Sequence, residues 1–110
     1  MRSAPKPPKA YEDFVSQYPK LGRAWELIRA AGDEGPLDKK TVRLVKLGVA
    51  IGAMREGAVH SSVRKALGEG IDSKEIAQVI SLAAGTLGLP STVAVFSWIR
   101  DRLPKDRKKR

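Results

Sequence analysis

Glu56 and His60 stand four residues apart in the stretch "MREGAVHSSVRKAL", and Arg64 follows after four more. On a helix this spacing puts all three side chains on one face. A carboxylate beside an imidazole fixes its tautomer and orientation, which suits the ring to carry protons near neutral pH. A guanidinium one turn further on offers a fixed positive charge and a forked set of donors for a carboxylate. The chemistry open to such a set is acid/base work on a small anion. Glu56 and His60 are then the candidate catalytic residues, with Arg55, Ser62 and Arg64 as candidate substrate contacts. The same spacing also describes an exposed stripe of alternating charge, worth only about 0.2–0.5 kcal/mol per pair. Spacing alone leaves both readings open.

Other chemistries are excluded or disfavoured by what the chain lacks. It has no cysteine, so there is no disulfide, no thiolate nucleophile and no cysteine-ligated zinc. With one histidine, no conventional transition-metal site is expected. A serine nucleophile does not fit either, because Ser61 and Ser62 lie one and two residues from His60. Residues so spaced do not face each other on a regular helix. No glycine loop of the phosphate-cradling or dinucleotide type is present, so no cofactor is implied.

The elements that must position this set read as helices throughout. "YEDFVSQY" forms a short helix before Pro19, which opens a second helix carrying Leu21, Trp25 and Ile28 and stopping at Gly32. "DEGPL" is a loop. Asp38 caps a longer helix that is expected to run to about Arg55, with Leu44, Leu47, Ile51 and Met54 on one side. Gly48 and Gly52, four apart within it, suggest close approach of another helix. After Gly57 the pattern resumes through Val59, Val63, Ala66 and Leu67, and Gly68 and Gly70 end it. Asp72 with Glu75 makes a capping-box pair for a helix bearing Ile76, Val79, Ile80, Ala83 and Ala84. "GTLGLP" breaks it, and Pro90 opens a last helix with Val93, Val95, Phe96, Trp98 and Ile99, before Pro104 ends the fold. Arg43 and Lys46 read as a charged solvent face, and Trp25 and Trp98 as packing anchors. Nothing alternates with period two. The fold class is all-α, a compact bundle of five to six helices. Two of these helices are apolar enough to need cover on several sides, so a homo-oligomer is expected.

The charge of +9 is unevenly spread. Residues 1–10, Pro-rich and basic, carry +3; the tail 104–110 carries +4; the body, 11–103, keeps only +2. The ends are therefore expected to be extended basic arms around a single helical domain, and specific nucleic-acid binding is not expected. No run approaches the roughly 18–20 apolar residues of a membrane span, and the start of the chain lacks a signal-peptide core, so the expected location is the cytoplasm. The absence of asparagine alongside many charges suggests a thermophilic source.

From Leu37 to Trp98 the chain resembles the carboxymuconolactone decarboxylase-like family, which includes alkyl hydroperoxidase D. The resemblance lies in the long apolar helix, the "HSSVRKALGEGIDSKEI" turn and the helix ending in "GLP". It implies a helical bundle assembled as a trimer or hexamer, with sites near subunit contacts. The family's peroxidase branch carries two cysteines and a histidine where this chain has Arg55, Ala58 and Ser62, and a glutamate near Arg43. Thiol peroxidase chemistry cannot run on these residues. The decarboxylase branch uses acid/base groups, with a histidine two residues after His60. Two functions follow from the resemblance. One is an acid/base, lyase-type enzyme acting on a small anionic lactone or carboxylate through Glu56 and His60. The alternative is a non-catalytic oligomeric binding or scaffold member of this peroxidase-related superfamily without the redox cysteines.

Overall fold

The computed structural model describes residues 9–104. Most of the two expected basic arms lies outside that range, although Lys9 and Ala10 already form the first helical turn. Six helices of at least nine residues make up the fold: α1 (Lys9–Gln17), α2 (Pro19–Gly32), α3 (Lys39–Gly52), α4 (Glu56–Gly68), α5 (Ser73–Leu82) and α7 (Leu89–Ile99). A four-residue helical turn, α6 (Ala84–Leu87), joins the last two, and a 3-10 turn follows at Arg100–Arg102. No strand occurs among the described residues.

The helix starts follow the capping chemistry in the sequence. The Asp38 carboxylate accepts the Thr41 backbone N–H at 2.8 Å and opens α3. At α5 the cap is reciprocal. Asp72 accepts the Lys74 N–H at 3.0 Å, and Glu75 accepts the Asp72 N–H at 3.1 Å. Lys40 in the first turn of α3 pairs with Glu75, so the starts of α3 and α5 are tied together.

Two helix ends share one geometry. After α4, Gly70 adopts φ +86°, its N–H reaches the Leu67 carbonyl, and the Ile71 N–H reaches that of Ala66. This is the Schellman arrangement, in which a left-handed residue closes the orphan carbonyls. After α3 the same pattern recurs with Met54 in the left-handed position, at φ 55°. The Met54 N–H meets the Ile51 carbonyl, and the Arg55 N–H meets that of Ala50. A side chain at this position is strained by roughly 1–2 kcal/mol. Helix α3 therefore ends at Gly52, short of the expected Arg55, and Arg55 becomes the residue before α4.

The core lies among α3, α4, α5 and α7. Leu47 and Ile51, Val59, Val63 and Ala66, Ile76 and Ile80, and Val95 and Ile99 are all buried there. Each large aliphatic side chain so placed contributes about 1.5–3 kcal/mol of burial free energy. Helices α1 and α2 form a separate hairpin. They pack on each other, with a Cβ at Gly22 set to meet Val15 at 3.2 Å, yet neither helix has a buried side chain. Trp98 packs against the core as expected, whereas Trp25 remains 43 % exposed.

A second surface is apolar and open. Val49 (67 %), Leu82 (70 %) and Leu89 (68 %) are exposed, and a groove between α3 and α5 is lined by Leu44, Val45, Val79 and Leu82. The two helix glycines permit no close contact within the subunit. A Cβ at Gly48 would meet only Val79, at an ordinary 3.9 Å, and one at Gly52 would meet nothing.

Candidate functional site

The first turn of α4 brings the two candidate catalytic residues together. His60 Nε2 and Glu56 Oε2 are 3.2 Å apart. A carboxylate can only accept, so in this contact Nε2 donates its N–H to Glu56. His60 Nδ1 is buried without a hydrogen-bond partner. The His60 side chain as a whole is 25 % exposed, and Glu56 is more open at 55 %.

His60 opens onto a cleft of about 920 Å³ between the α1–α2 hairpin and the bundle. Tyr11, Trp25, Glu26 and Arg29 form the hairpin wall. Helix α4 supplies His60, Ser61, Arg64 and Lys65, while Arg43 enters from α3 and Arg102 from the 3-10 turn. Glu69, just past α4, completes the floor. Gly57 and Gly68 border the cleft near the two ends of α4.

The lining carries five cations, Arg29, Arg43, Arg64, Lys65 and Arg102, against two carboxylates, Glu26 and Glu69. Both carboxylates are engaged: Glu26 with Arg29 at 3.0 Å, and Glu69 with Arg43 at 3.3 Å. Arg64, Lys65 and Arg102 have no carboxylate partner among the described residues. Burial pushes the Lys65 ammonium below the ordinary lysine pKa, and repulsion from Arg43, Arg29, Arg64 and Lys46 adds to it. Arg64 also holds its Nε buried without a partner. A surplus of positive charge in a partly covered cleft attracts an anion. No group of three or more potential metal-binding side chains occurs among the described residues.

The candidate substrate contacts separate in space. Arg64 lines the cleft beside His60. Arg55 precedes α4 on the exposed surface, away from the cleft lining, and Ser62 turns into the core at 9 % exposure. Ser61, its neighbour, is the serine at the cleft. Arg43 departs from the solvent face expected for it: its side chain is only 15 % exposed and reaches Glu69, 26 residues away. Trp25 was expected to anchor packing and instead borders the cleft. Nothing in the sequence links Arg43 to Glu69, because charge does not identify a partner across 26 residues.

Comparison with known proteins gives one match. The sequence model of the carboxymuconolactone decarboxylase family matches residues 19–101, a span that holds α2 to α7 and every cleft residue except Tyr11 and Arg102. No curated protein and no solved structure matches the chain.

Proposed function

Because the chain belongs to the carboxymuconolactone decarboxylase family, we propose that its cleft takes a small anionic lactone or carboxylate. On this reading Glu56 and His60 carry the proton of an acid/base, lyase-type step. The observation that supports it most is the position of His60, paired with Glu56 and bordering a cleft whose cations outnumber its carboxylates. Arg64 holds the carboxylate of the ligand, as a guanidinium with free donors does best. Glu56 orients the ring, and its greater exposure makes it the exit for the proton to water. Arg55 and Ser62, which lie outside the cleft lining, do not touch the ligand on this reading.

The active form on this reading is a homo-oligomer, a trimer or hexamer. Its support is the apolar groove and the exposed Val49, Leu82 and Leu89, which a second copy would cover. Those same residues favour the competing reading, an oligomeric scaffold without catalysis.

A panel of small carboxylates and lactones, screened by thermal shift and for turnover, tests the proposal on the parent, His60→Ala and Arg64→Ala. The parent should be stabilised by at least one member of the panel and should turn it over. Arg64→Ala should weaken that binding about tenfold or more, as expected for a charge-assisted hydrogen bond. His60→Ala should bind and not turn over. Turnover by His60→Ala at the parent's rate, or no ligand-dependent shift in the parent, would overturn it. Binding without turnover in the parent would favour the scaffold.

A further inference from the structure

Lys65 follows Arg64 on α4 and lines the same cleft, but the acid/base pair gives it no part. Its charged neighbours are almost all cations. Arg29 on α2, Arg43 and Lys46 on α3, and Arg64 on its own helix all repel its charge, and the three arginines line the same cleft. Arg102 shares the cleft from the 3-10 turn. The two carboxylates of the lining, Glu26 and Glu69, are already held by Arg29 and Arg43. An ammonium at this place therefore sits in a partly covered cleft without a counterion. Side chains on a helix lean toward its N-terminus, so the stem of Lys65 reaches over the turn that carries Ser61. Burial and the four cations together make it release its proton more readily than a free lysine does. A lysine desolvated beside other cations is the arrangement that turns an amine into a nucleophile for carbonyl carbon.

We propose that Lys65 is the nucleophilic amine of the cleft and that it condenses with the carbonyl group of a 2-oxo acid, whose carboxylate Arg64 holds. The inference rests on the cleft being an anion site, as proposed above. The step balances without an oxidant or reductant. The nitrogen lone pair forms a bond to the carbonyl carbon, and the π pair of the C=O bond moves onto oxygen, which takes a proton. Nitrogen loses its own protons as the oxygen leaves in a water molecule. One amine and one carbonyl give one imine and one water.

The test uses the full chain with glyoxylate, the simplest 2-oxo acid, and sodium cyanoborohydride. Cyanoborohydride delivers hydride to the imine carbon and traps it as a carboxymethyl group on nitrogen. Peptide mapping by mass spectrometry then compares Lys65 with the exposed Lys20 and Lys39. Lys65 should be labelled about tenfold faster than either, and its rate should reach half-maximum at a lower pH than a free lysine amine requires. Acetaldehyde, which has no carboxylate, should show a clearly smaller preference for Lys65, and Arg64→Ala should reduce the preference for glyoxylate toward that level. Labelling of Lys65 no faster than Lys20 overturns the proposal. If glyoxylate still shifts the melting temperature in that case, the anion site stands and only the amine chemistry fails. If the shift is absent too, both fail.

Discussion

Arg43 on α3 and Glu69 just past the end of α4 meet across the floor of the cleft, with Nη2 and Oε2 3.3 Å apart and Nε at a similar distance. The contact joins the two helices that frame the candidate site, and it is more covered on the arginine side than on the glutamate side. It both braces α3 against α4 and occupies one of the two carboxylates that line the cleft among the described residues.

A double-mutant cycle on Arg43→Ala and Glu69→Ala should give a coupling of about 1 kcal/mol, at the upper end for a pair this exposed. Denaturant unfolding measures it. Glu69→Ala alone should strengthen binding of a small carboxylate, because it frees the Arg43 guanidinium. A coupling near zero would show that the two side chains are merely adjacent.

Glu56→Gln tests the orienting role. The pair lies on an open helix face, so stability should fall by only about 0.2–0.5 kcal/mol. Turnover of any substrate found should fall about 10- to 100-fold, by analogy with the loss of the hydrogen-bonded partner of a metal-ligating histidine. Unchanged turnover would reduce Glu56 to surface charge.

Met54→Gly should stabilise the protein. Glycine takes the left-handed φ of 55° without the clash that methionine carries. The gain expected is about 1 kcal/mol, less whatever the partly exposed methionine side chain contributes by packing. Thermal unfolding reads it directly, and a loss of stability would mean that Met54 is held there by contacts worth more than the strain.

Glu75 ties stability to acid. Its carboxyl is held below the ordinary 4.5, first by the hydrogen bond from Lys40 and then by the Asp72 backbone N–H. A depressed folded pKa means that the unfolded chain binds the proton more readily. The contribution is therefore complete above pH 4.5 and fades as the pH falls through the lower folded value. Lys40 is raised above 10.5 by the same partner, so the pair also weakens when the pH climbs past that value. Glu75→Gln should be less stable than the parent near neutrality, and the gap should close in acid. A gap that persists in strong acid would assign the loss to packing.

Val49→Asp and Leu82→Asp test the assembly. Both side chains are exposed within one chain, so a charge there costs the isolated subunit little. If a second copy covers this face, sedimentation should show each variant shifted toward monomer. A parent that sediments as a monomer removes the oligomer from the proposal.

Local signals made much of the bundle legible in the sequence. Asp38, Asp72 with Glu75, and Gly70 each act over a few residues, and each does in the structure what its type and position suggest. The sequence does not mark the end of α3, because methionine is a poor sign of a left-handed residue; only the hydrogen bonds to Ile51 and Ala50 reveal it. Glu56 and His60 were legible together because a helix fixes their separation. Ser62, the expected substrate contact, turns into the core and Ser61 lines the cleft instead, since which of two adjacent residues faces the core depends on how α4 rolls against its neighbours. Arg43, Glu69, Trp25 and Lys65 meet at the cleft only through packing among separate helices, and no local pattern records that.

The α1–α2 hairpin supplies Tyr11, Trp25 and Arg29 to the cleft while burying none of its own side chains. Its hold on the bundle is therefore weak, and its amides should exchange with solvent well before those of α3 and α4. An anion that touches both Arg29 and Arg64 would bind the docked hairpin and not the detached one, so part of its affinity would be spent on closing the wall. Occupancy of the cleft would then be written in the exchange rates of α2, several turns from the histidine. The ligand would serve as the missing core of the hairpin.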